Sequence, residues 1–424
     1  MTTNNPKHRR VVLVICDGLG AEWVSPDLTP EIDALSRRSK VAACHRAVYP
    51  SVTRVSAASI ATGYHPGQHG LHGNQMALPD GERLVVHNAG LADFRDRMRR
   101  ATGRTLKTPT LAQRLADRGG QVAYSNVSAG GAYFLDPDHH GTVCHRSGSF
   151  GPGGIRLTGR QHLSVSHDLS GDKAMALKFC KQVLEGNAPA LAVLWLANPD
   201  LTLHHHPLGS PEHLDALRGV DALVGLVVAS IGRAASRHDT LLMVGSDHGH
   251  ETINKSIHIG NWIASVGFEA EIRDGCIAVA SQGNSALIYV AKSVQPRVDP
   301  LLAQMAQQPW AGKIYALAEL AELKFPTGAD LYAAVDTVRT EIPNAYGVPG
   351  ARWMVEDGEE RPEIGCGQHG GLGPQETNPF LLLAQSGILA SRVETPTSLI
   401  DIAPTVLDFL DVTYEGLPGK SLID

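Results

Sequence analysis

The chain has 424 residues, 43% of them hydrophobic, so it can bury a large core and is neither disordered nor fibrous. Its formal net charge is −6, with 37 Lys and Arg against 43 Asp and Glu, which argues against a dedicated binder of nucleic acids or anionic membranes. The 20 histidines are clustered, which indicates metal or acid–base chemistry.

The predicted elements are short apolar strands and amphipathic helices. In chain order they are a strand at 11–15, helices at 29–38, 54–62 and 110–118, a strand at 121–124, a helix at 173–184, a strand at 191–196, a helix at 211–233, strands at 240–244 and 380–383, and a helix at 398–410. The strands lack polar–apolar alternation, which indicates parallel strands buried on both faces. We therefore predict an α/β core with a mostly parallel central sheet covered by helices, with its site at the carboxyl ends of the strands.

The texture of the sequence changes between residues 252 and 364. Strand-like pieces at 276–280 and 285–290 mix there with helices and with Pro and Gly turns. We interpret this segment as an α+β cap inserted into the core. The predicted catalytic core then consists of residues 1–251 and 365–424.

Carboxylates and imidazoles follow several of the predicted strands. Asp17 follows the first strand, and Asp200 with His204 follows the strand at 191–196. Asp247 and His248 follow the strand at 240–244, and His369 lies upstream of the strand at 380–383. This donor set suits zinc and is acceptable to manganese or iron, so the pattern predicts a site for two divalent metal ions.

A threonine and an asparagine complete the candidate site. Thr53 is placed at the start of a predicted helix, where unpaired N–H groups favour an anion and a nearby metal would lower the pKa of its hydroxyl. The side chain of Asn74 can donate a hydrogen bond to developing negative charge.

Taken in order, these motifs resemble the alkaline phosphatase superfamily, and most closely its nucleotide pyrophosphatase/phosphodiesterase and phosphonoacetate hydrolase branch. The matching pieces are Asp17, the Pro-Ser-Val-Thr stretch at 50–53, the Thr-Gly…Pro…His-Gly stretch at 62–70, Asp200 with His204, Ser-Asp-His-Gly at 246–249 and Gly-Gln-His-Gly at 367–370. The resemblance implies an alkaline-phosphatase-like sandwich and a metal-dependent phosphoryl hydrolase.

The resemblance also implies roles for single residues. Thr53 corresponds to a nucleophile that becomes a phosphothreonine, and Asn74 corresponds to an asparagine that contacts a phosphoryl oxygen. The implied ligands of one ion are Asp200, His204 and His369, and those of the other are Asp17, Asp247, His248 and Thr53. The reaction has two in-line steps, attack by Thr53 and hydrolysis of the phosphothreonine.

Several neighbouring residues have less certain roles in this interpretation. Arg54 could pair with a phosphate or a carboxylate of the substrate, and Tyr133 could contact the leaving group. In the His204–His206 run only the first member has the expected spacing from Asp200, which leaves His205 and His206 without an assigned role. His250 stands where the family often has an apolar residue, and it could pack near the metals.

The sequence leaves three functions open: two kinds of hydrolase and one metal-bound protein without enzymatic activity. We favour a phosphodiesterase or nucleotide pyrophosphatase, because residues 125–134 lack the lysines with which phosphonoacetate hydrolases bind a carboxylate. Hydrolysis of a C–P bond in another phosphonate is the alternative. A metal-bound sensor or scaffold would not need Thr53. A sulfatase is disfavoured, because position 57 holds Ala where that class has an arginine.

Composition also gives expectations about location and partners. The six scattered cysteines include no Cys-x-x-Cys pair, which predicts reduced thiols, and the apolar run at 11–15 is too short for a signal peptide or a membrane span. We expect a cytoplasmic protein whose partner is a small-molecule substrate: a phosphate diester, a pyrophosphate or a phosphonate. A homodimer is compatible with this prediction, whereas a nucleic-acid polymer and a membrane are not expected.

Overall fold

The structure is a computed structural model that describes residues 9–186, 189–233, 239–326, 330–358, 363–385 and 388–423. Across these ranges, no helix combines the length and the apolar character needed to cross a bilayer.

A large mixed sheet forms the centre of the molecule, as the sequence predicted. From one edge to the other its strands are Ser391–Val393, Lys40–Ala42, Leu381–Ala384, Thr240–Gly245, Arg10–Cys16, Leu191–Leu196, Gln121–Ser125, Thr142–His145, Phe150–Gly151 and Ile155–Arg156. The first strand shows why apolar runs form this layer: Val11 and Leu13 pack into one hydrophobic cluster, whereas Val12 and Val14 pack into the cluster on the opposite face. A strand buried on both faces needs apolar residues at every position.

The direction of one central strand differs from the prediction. Arg10–Cys16 pairs in parallel with Leu191–Leu196 and with Thr240–Gly245, but Leu381–Ala384 runs antiparallel to Thr240–Gly245. The prediction of a parallel strand at 380–383 was wrong, because an apolar run indicates burial and carries no information on direction. The register pairs Gly245 with Leu381, so the start of the reversed strand lies at the edge where its parallel neighbours end.

Helices cover the two faces of the sheet, and their bounds are close to the prediction except at 110–118, where a short helix stops early. The α-helices are Pro30–Ser36, Thr53–Thr62, Pro66–His69, Phe94–Thr102, Leu111–Arg114, Ala129–Tyr133, Leu169–Phe179, Asp200–Leu203, Pro211–Arg233, Ile259–Ile263, Glu269–Arg273, Val298–Met305 and Ile402–Phe409. Short 3-10 helices are Ala21–Trp23, Pro152–Gly154, Gly159–Gln161, Gln295–Arg297, Leu317–Ala321 and Leu399–Asp401, and the π-helical turns are Cys180–Leu184 and Ala264–Phe268.

The segment predicted as a cap contributes to two smaller sheets. One contains, in spatial order, Ile277–Ser281, Ser285–Val290, Leu331–Thr337 and Ala311–Ala316, and the other contains Arg339–Thr340, Ala351–Val355, Glu251–Ile257 and Gly367–Gln368. Two-stranded pairs are His45–Arg46 with Thr397–Ser398, and Gln75–Asp80 with Arg83–Asn88. Ile288 and Val290 belong to a third hydrophobic cluster, whereas Leu287 and Tyr289 face the main one. The boundaries at 252 and 364 stay a prediction.

Candidate active site

The chemistry-bearing residues meet at one edge of the central sheet. Asp17, Asp200 and Asp247 follow the parallel strands Arg10–Cys16, Leu191–Leu196 and Thr240–Gly245. His369 lies upstream of the reversed strand, whose start is opposite Gly245. The antiparallel direction therefore brings a residue that precedes a strand to the edge where the other strands end.

The helix Thr53–Thr62 points its first turn at this edge. The Thr53 hydroxyl lies 3.4 Å from Asp17 Oδ1 and 3.2 Å from His248 Nε2. The first N–H groups of an α-helix have no partner within the helix, and the helix dipole is positive at this end. The threonine oxygen and an anion-binding helix end are therefore found together.

One group of predicted ligands is fully buried around Thr53. His248 Nε2 lies 3.5 Å from Asp17 Oδ1 and 3.3 Å from Asp247 Oδ2. Trp195 Nε1 donates to Asp17 Oδ2 at 2.7 Å, and the Gly18 N–H donates to Asp247 Oδ1 at 3.1 Å. These bonds fix the orientation of both carboxylates.

The second group lies on the side of the site that is more open to solvent. Asp200 Oδ1 is 3.3 Å from His204 Nε2, 3.4 Å from His369 Nε2 and 2.9 Å from His250 Nε2. The rings of His248 and His369 stack with their centroids 3.8 Å apart, which joins the two groups. The structure thus brings all six predicted side-chain ligands of carboxylate or imidazole type together with Thr53.

Backbone carbonyls set the orientation of three of these imidazoles. Nδ1 lies 3.1 Å from the Gly249 carbonyl in His248, 2.8 Å from the Ser51 carbonyl in His369 and 3.1 Å from the Gly18 carbonyl in His250. A carbonyl oxygen can only accept, so each Nδ1 carries the proton and donates it. In the neutral ring Nε2 then presents a lone pair to the site, as a metal ligand does.

The electrostatics of the site favour bound cations. Burial, together with Asp247 and Asp200, raises the pKa of Asp17 well above its usual range, and burial raises the pKa of Asp247 to about 8. Burial also lowers the pKa of His248 to about 3, which keeps its ring neutral. Asp247 Oδ2 is buried without a hydrogen-bond partner. Repelling carboxylates, neutral imidazoles and an unpartnered oxygen are the donor set that divalent metals bind.

The site forms the floor of a cavity of about 450 Å³. Residues from 252–364 form what we name the cap wall, and the remainder form the core wall. The cap wall is Ile253, Ser281, Gln282, Gly283, Met354, Asp357 and Glu363. The core wall is Thr53, Arg54, Asn74, Gln75, Asn88, Val127, Ser128, His167, Ala197, Asp200, Leu201, His204, His205, Gly367, Gln368 and His369. The volume is in the range of cavities that bind small molecules.

Asn74 and Arg54 line this cavity beside Thr53. Asn74 Oδ1 is buried without a hydrogen-bond partner, and the Asn74 N–H donates to Gln282 Oε1 at 2.6 Å. Arg54 Nε donates to Ser128 Oγ at 3.2 Å, and Arg54 Nη1 donates to the Asn74 carbonyl at 3.0 Å. The Arg54 guanidinium therefore supports the backbone of Asn74 at the core wall.

The structure places Tyr133 differently from the hypothesis of a leaving-group contact. Its side chain is buried, it is not among the described residues that line the cavity, and its hydroxyl donates to the Gly148 carbonyl at 3.0 Å. Arg95 also packs over its ring, 4.5 Å from the centroid. Tyr133 is therefore part of the packing, and the hypothesis of a substrate contact is withdrawn.

Two residues that contact the predicted ligands or the turn before them were not assigned as ligands or supports from the sequence. His250 follows the Ser-Asp-His-Gly motif by one position, so its imidazole could have been noticed as a further donor. Asp172 is buried and accepts hydrogen bonds from the N–H groups of Ala197 and Asn198 and from the Asn198 side chain, at 2.9–3.1 Å. It fixes the turn that leads to Asp200, and no local pattern marks it, because it belongs to the separate helix Leu169–Phe179.

Comparison with known proteins agrees with this geometry. Two solved structures of murine ectonucleotide pyrophosphatase/phosphodiesterase 5 share the fold at a TM-score of 0.71 and 15% identity. Each alignment covers 97% of this chain, and 98% or 97% of the murine chain; the second structure is an inactive threonine-to-alanine variant in complex with AMP. No curated protein sequence matches this chain. The model of the type I phosphodiesterase/nucleotide pyrophosphatase family matches residues 11–372. The chain therefore belongs to this family, within the alkaline phosphatase superfamily.

Proposed function

We propose that this protein hydrolyses small phosphate diesters or nucleotide pyrophosphate bonds, using Thr53 as a nucleophile and two divalent metal ions. The observation that carries the proposal is the convergence of the Thr53 hydroxyl with buried carboxylates and imidazoles at the floor of the cavity. Membership of the family supports a hydrolase that acts on phosphodiesters.

The proposed ion sites follow the two ligand groups. Asp17, Asp247, His248 and Thr53 would hold one ion, and Asp200, His204 and His369 would hold the other. Zinc is our first choice, because tetrahedral sites of imidazole and carboxylate suit it, and manganese or iron can use the same donors. When bound, the ions would lower the pKa of a nearby hydroxyl and stabilise charge on the attacking and leaving oxygens.

The proposed reaction consists of two successive nucleophilic displacements at the phosphorus atom of the substrate. Thr53 Oγ forms a bond to phosphorus as the bond to the leaving oxygen breaks, and the leaving alcohol or nucleotide takes up the proton. Water then attacks the same phosphorus, which releases a phosphate monoester and restores the threonine hydroxyl. The N–H groups at the start of the Thr53–Thr62 helix and the side chain of Asn74, which lines the cavity, would bind phosphoryl oxygens.

The murine relative supports a nucleotide substrate. Its inactive threonine-to-alanine variant is in complex with AMP, which is a phosphate monoester of the kind that this reaction releases. The cavity volume of about 450 Å³ in the present chain is compatible with a small organic phosphate. We therefore propose a nucleotide diester or pyrophosphate as the first substrate to assay.

The test is hydrolysis of a nitrophenyl nucleotide, phosphonoacetate and a nitrophenyl monoester by the purified, zinc-loaded protein. We expect the nucleotide diester to have the highest kcat/KM. A preference for phosphonoacetate would favour the alternative C–P bond hydrolase, and the absence of turnover on all three would contradict the proposal and favour a sensor or scaffold.

A pair of variants tests the nucleophile. Thr53→Ala should lower kcat by about 10⁴-fold or more, because no other hydroxyl replaces the attacking oxygen, while Thr53→Ser should keep measurable turnover. Acid quenching of the wild type during turnover of the nitrophenyl nucleotide should trap one nucleotidyl group on Thr53, identified by peptide mass spectrometry. Full activity of Thr53→Ala would refute the covalent step.

A further inference from the structure

The imidazole of His250 lies beside Asp200, as the imidazoles of the predicted ligands His204 and His369 do. Its side chain is 1% exposed, and its Nε2 lies 2.9 Å from Asp200 Oδ1, closer than either His204 or His369. Its ring centroid is 5.2 Å from that of His369 and 5.9 Å from that of His204. One donor atom from each of Asp200, His204, His250 and His369 lies within 4.8 Å of all the others.

The hydrogen bond at the other ring nitrogen determines what His250 offers to Asp200. Nδ1 donates to the Gly18 carbonyl at 3.1 Å, which directs Nε2 towards Asp200 Oδ1. The facing carboxylate oxygen can only accept, so the 2.9 Å contact is held either by a proton on Nε2 or by a cation that binds both atoms. His369 has the same arrangement, with Nδ1 donating to Ser51 and Nε2 facing Asp200.

The turn after the first strand is shaped to admit this ring. Gly18 has a φ of +70°, and a Cβ added to it would lie 2.3 Å from His250 Cε1 and 2.9 Å from Asp200 Cβ. Only glycine leaves room at this point for the imidazole and the carboxylate to stand side by side. The position of His250 is therefore built into the backbone of the site.

We propose that His250 is a fourth protein ligand of the ion held by Asp200, His204 and His369. The inference rests on the two-ion site of the proposed function and assigns this chain a ligand outside the set that the motifs implied. A carboxylate and three imidazoles supply four protein donors to this ion, and zinc can expand to five-coordinate when a substrate oxygen binds. We therefore expect this ion to be retained more firmly than the ion beside Thr53.

A crystal structure of the zinc-loaded wild type, with the ions located by anomalous scattering, tests the ligand directly. We expect about 2.1 Å between His250 Nε2 and one zinc ion. A distance longer than about 2.5 Å to every ion would overturn the inference, because it exceeds the zinc–imidazole bond. This measurement needs no variant and does not depend on turnover.

The variant His250→Gln separates a ligand from a hydrogen-bonding residue. The glutamine amide can donate to Asp200 where a protonated imidazole would, but it is a poor replacement for a zinc-binding nitrogen. We expect the affinity for the more firmly held ion to fall by more than about 100-fold in competition with a chelator, beyond the 10- to 100-fold typical of an outer hydrogen-bonding partner. A smaller loss would contradict the inference.

The matched control is His206→Gln, a histidine 42% exposed in its side chain and 4.0 Å from Glu212. It should keep both ions with unchanged affinity, and circular dichroism of both variants reports whether they fold. If the wild type binds two zinc ions but hydrolyses no phosphodiester, the proposed function fails while the zinc–His250 distance still decides the present inference.

Discussion

The two walls of the cavity have different chemical characters. The core wall carries the threonine, Arg54 and most of the ionisable groups, among them His204 and His369. Among the described residues, the cap wall offers the amide of Gln282, small or apolar side chains, and the carboxylates of Asp357 and Glu363. In the proposed function, the groups that break the bond therefore belong to the core wall and to the ligands behind it, whereas the segment predicted as a cap supports them and limits the space.

Apart from the loss of Thr53, the largest expected effect comes from the buried carboxylates behind the core wall. Asp247→Asn should lower kcat/KM by about 10³-fold, because it weakens the binding of one metal ion. Such an ion stabilises the charge of the transition state by several kcal/mol. Elemental analysis should find one ion lost. The control is Asp221→Asn, a buried aspartate that accepts the N–H groups of Glu31 and Ile32 far from the cavity. Wild-type activity of Asp247→Asn would contradict the assignment of the ion-binding groups to the core side of the cavity.

Removal of metal should make stability depend on pH in a defined direction. Without ions, burial raises the pKa of Asp247 from 3.8 to about 8, so between these values the folded state keeps a proton that the unfolded state has released. The free energy of unfolding therefore falls as the pH rises through this window and levels off above it. Urea denaturation of the chelated protein measures this, and Asp247→Asn should show a smaller slope. Equal slopes would contradict the assignment to Asp247.

The cap wall should affect catalysis through positioning. Gln282 Oε1 accepts from the Asn74 N–H at 2.6 Å, and Gln282 Nε2 donates to the Gln75 carbonyl at 2.8 Å. We expect Gln282→Ala to lower kcat by about 10- to 100-fold with little change in KM, because Asn74 shifts relative to the phosphoryl group. Ser281→Ala is the control, since Ser281 Oγ donates to Val355 within the inserted segment. Equal losses in both variants would indicate a general disturbance of the turn.

Arg54 should act mainly on substrate binding. We expect Arg54→Ala to raise KM by about 10-fold, because a guanidinium next to the nucleophile attracts the substrate phosphate. Arg54→Lys keeps the charge without the planar pair of donors, and it should recover part of the loss. The effect should weaken as salt concentration rises. A fall in kcat without a change in KM would instead indicate that Arg54 acts by positioning Asn74.

The smallest effect is expected at His205. Its side chain is 59% exposed, and Nδ1 lies 3.0 Å from Glu363 Oε1 across the rim of the cavity. Exposed pairs of this kind contribute about 1 kcal/mol or less. His205→Gln should therefore change kcat/KM by no more than about 2-fold, whereas His204→Gln should lower the affinity of the site for one metal ion. A large loss of kcat/KM in His205→Gln would show that residues at the rim of the cavity also contribute to the reaction.

The sequence predicted the fold class because strong, short apolar runs mark the buried strands. The strands at 11–15, 121–124, 191–196 and 240–244 are confirmed with small changes of bounds, and the family was identified from ordered motifs. The edge strand Ile155–Arg156 and the hairpin Gln75–Asp80 with Arg83–Asn88 were missed, because half-exposed or two-residue strands carry little periodic signal.

The parts of the site that could not be predicted depend on distant contacts. The motifs pointed to residues near strand ends, and these residues do come together. The contact between Gln282 and Asn74 and the contact between Asp172 and Asn198 join elements far apart in the chain, and only folding brings them together. The direction of the reversed strand was missed for a related reason: its antiparallel pairing with Thr240–Gly245 joins parts of the chain that are far apart in sequence.

The return path of the inserted segment has one more consequence. Glu251 pairs with Gln368, and Thr252 pairs with Gly367, so the chain leaves the core and rejoins it through hydrogen-bonded neighbours. His250 and His369 immediately adjoin this clasp. Metal binding at these imidazoles should therefore slow hydrogen–deuterium exchange at the clasp amides, so the occupancy of the ion site can be read from backbone protection without an activity assay.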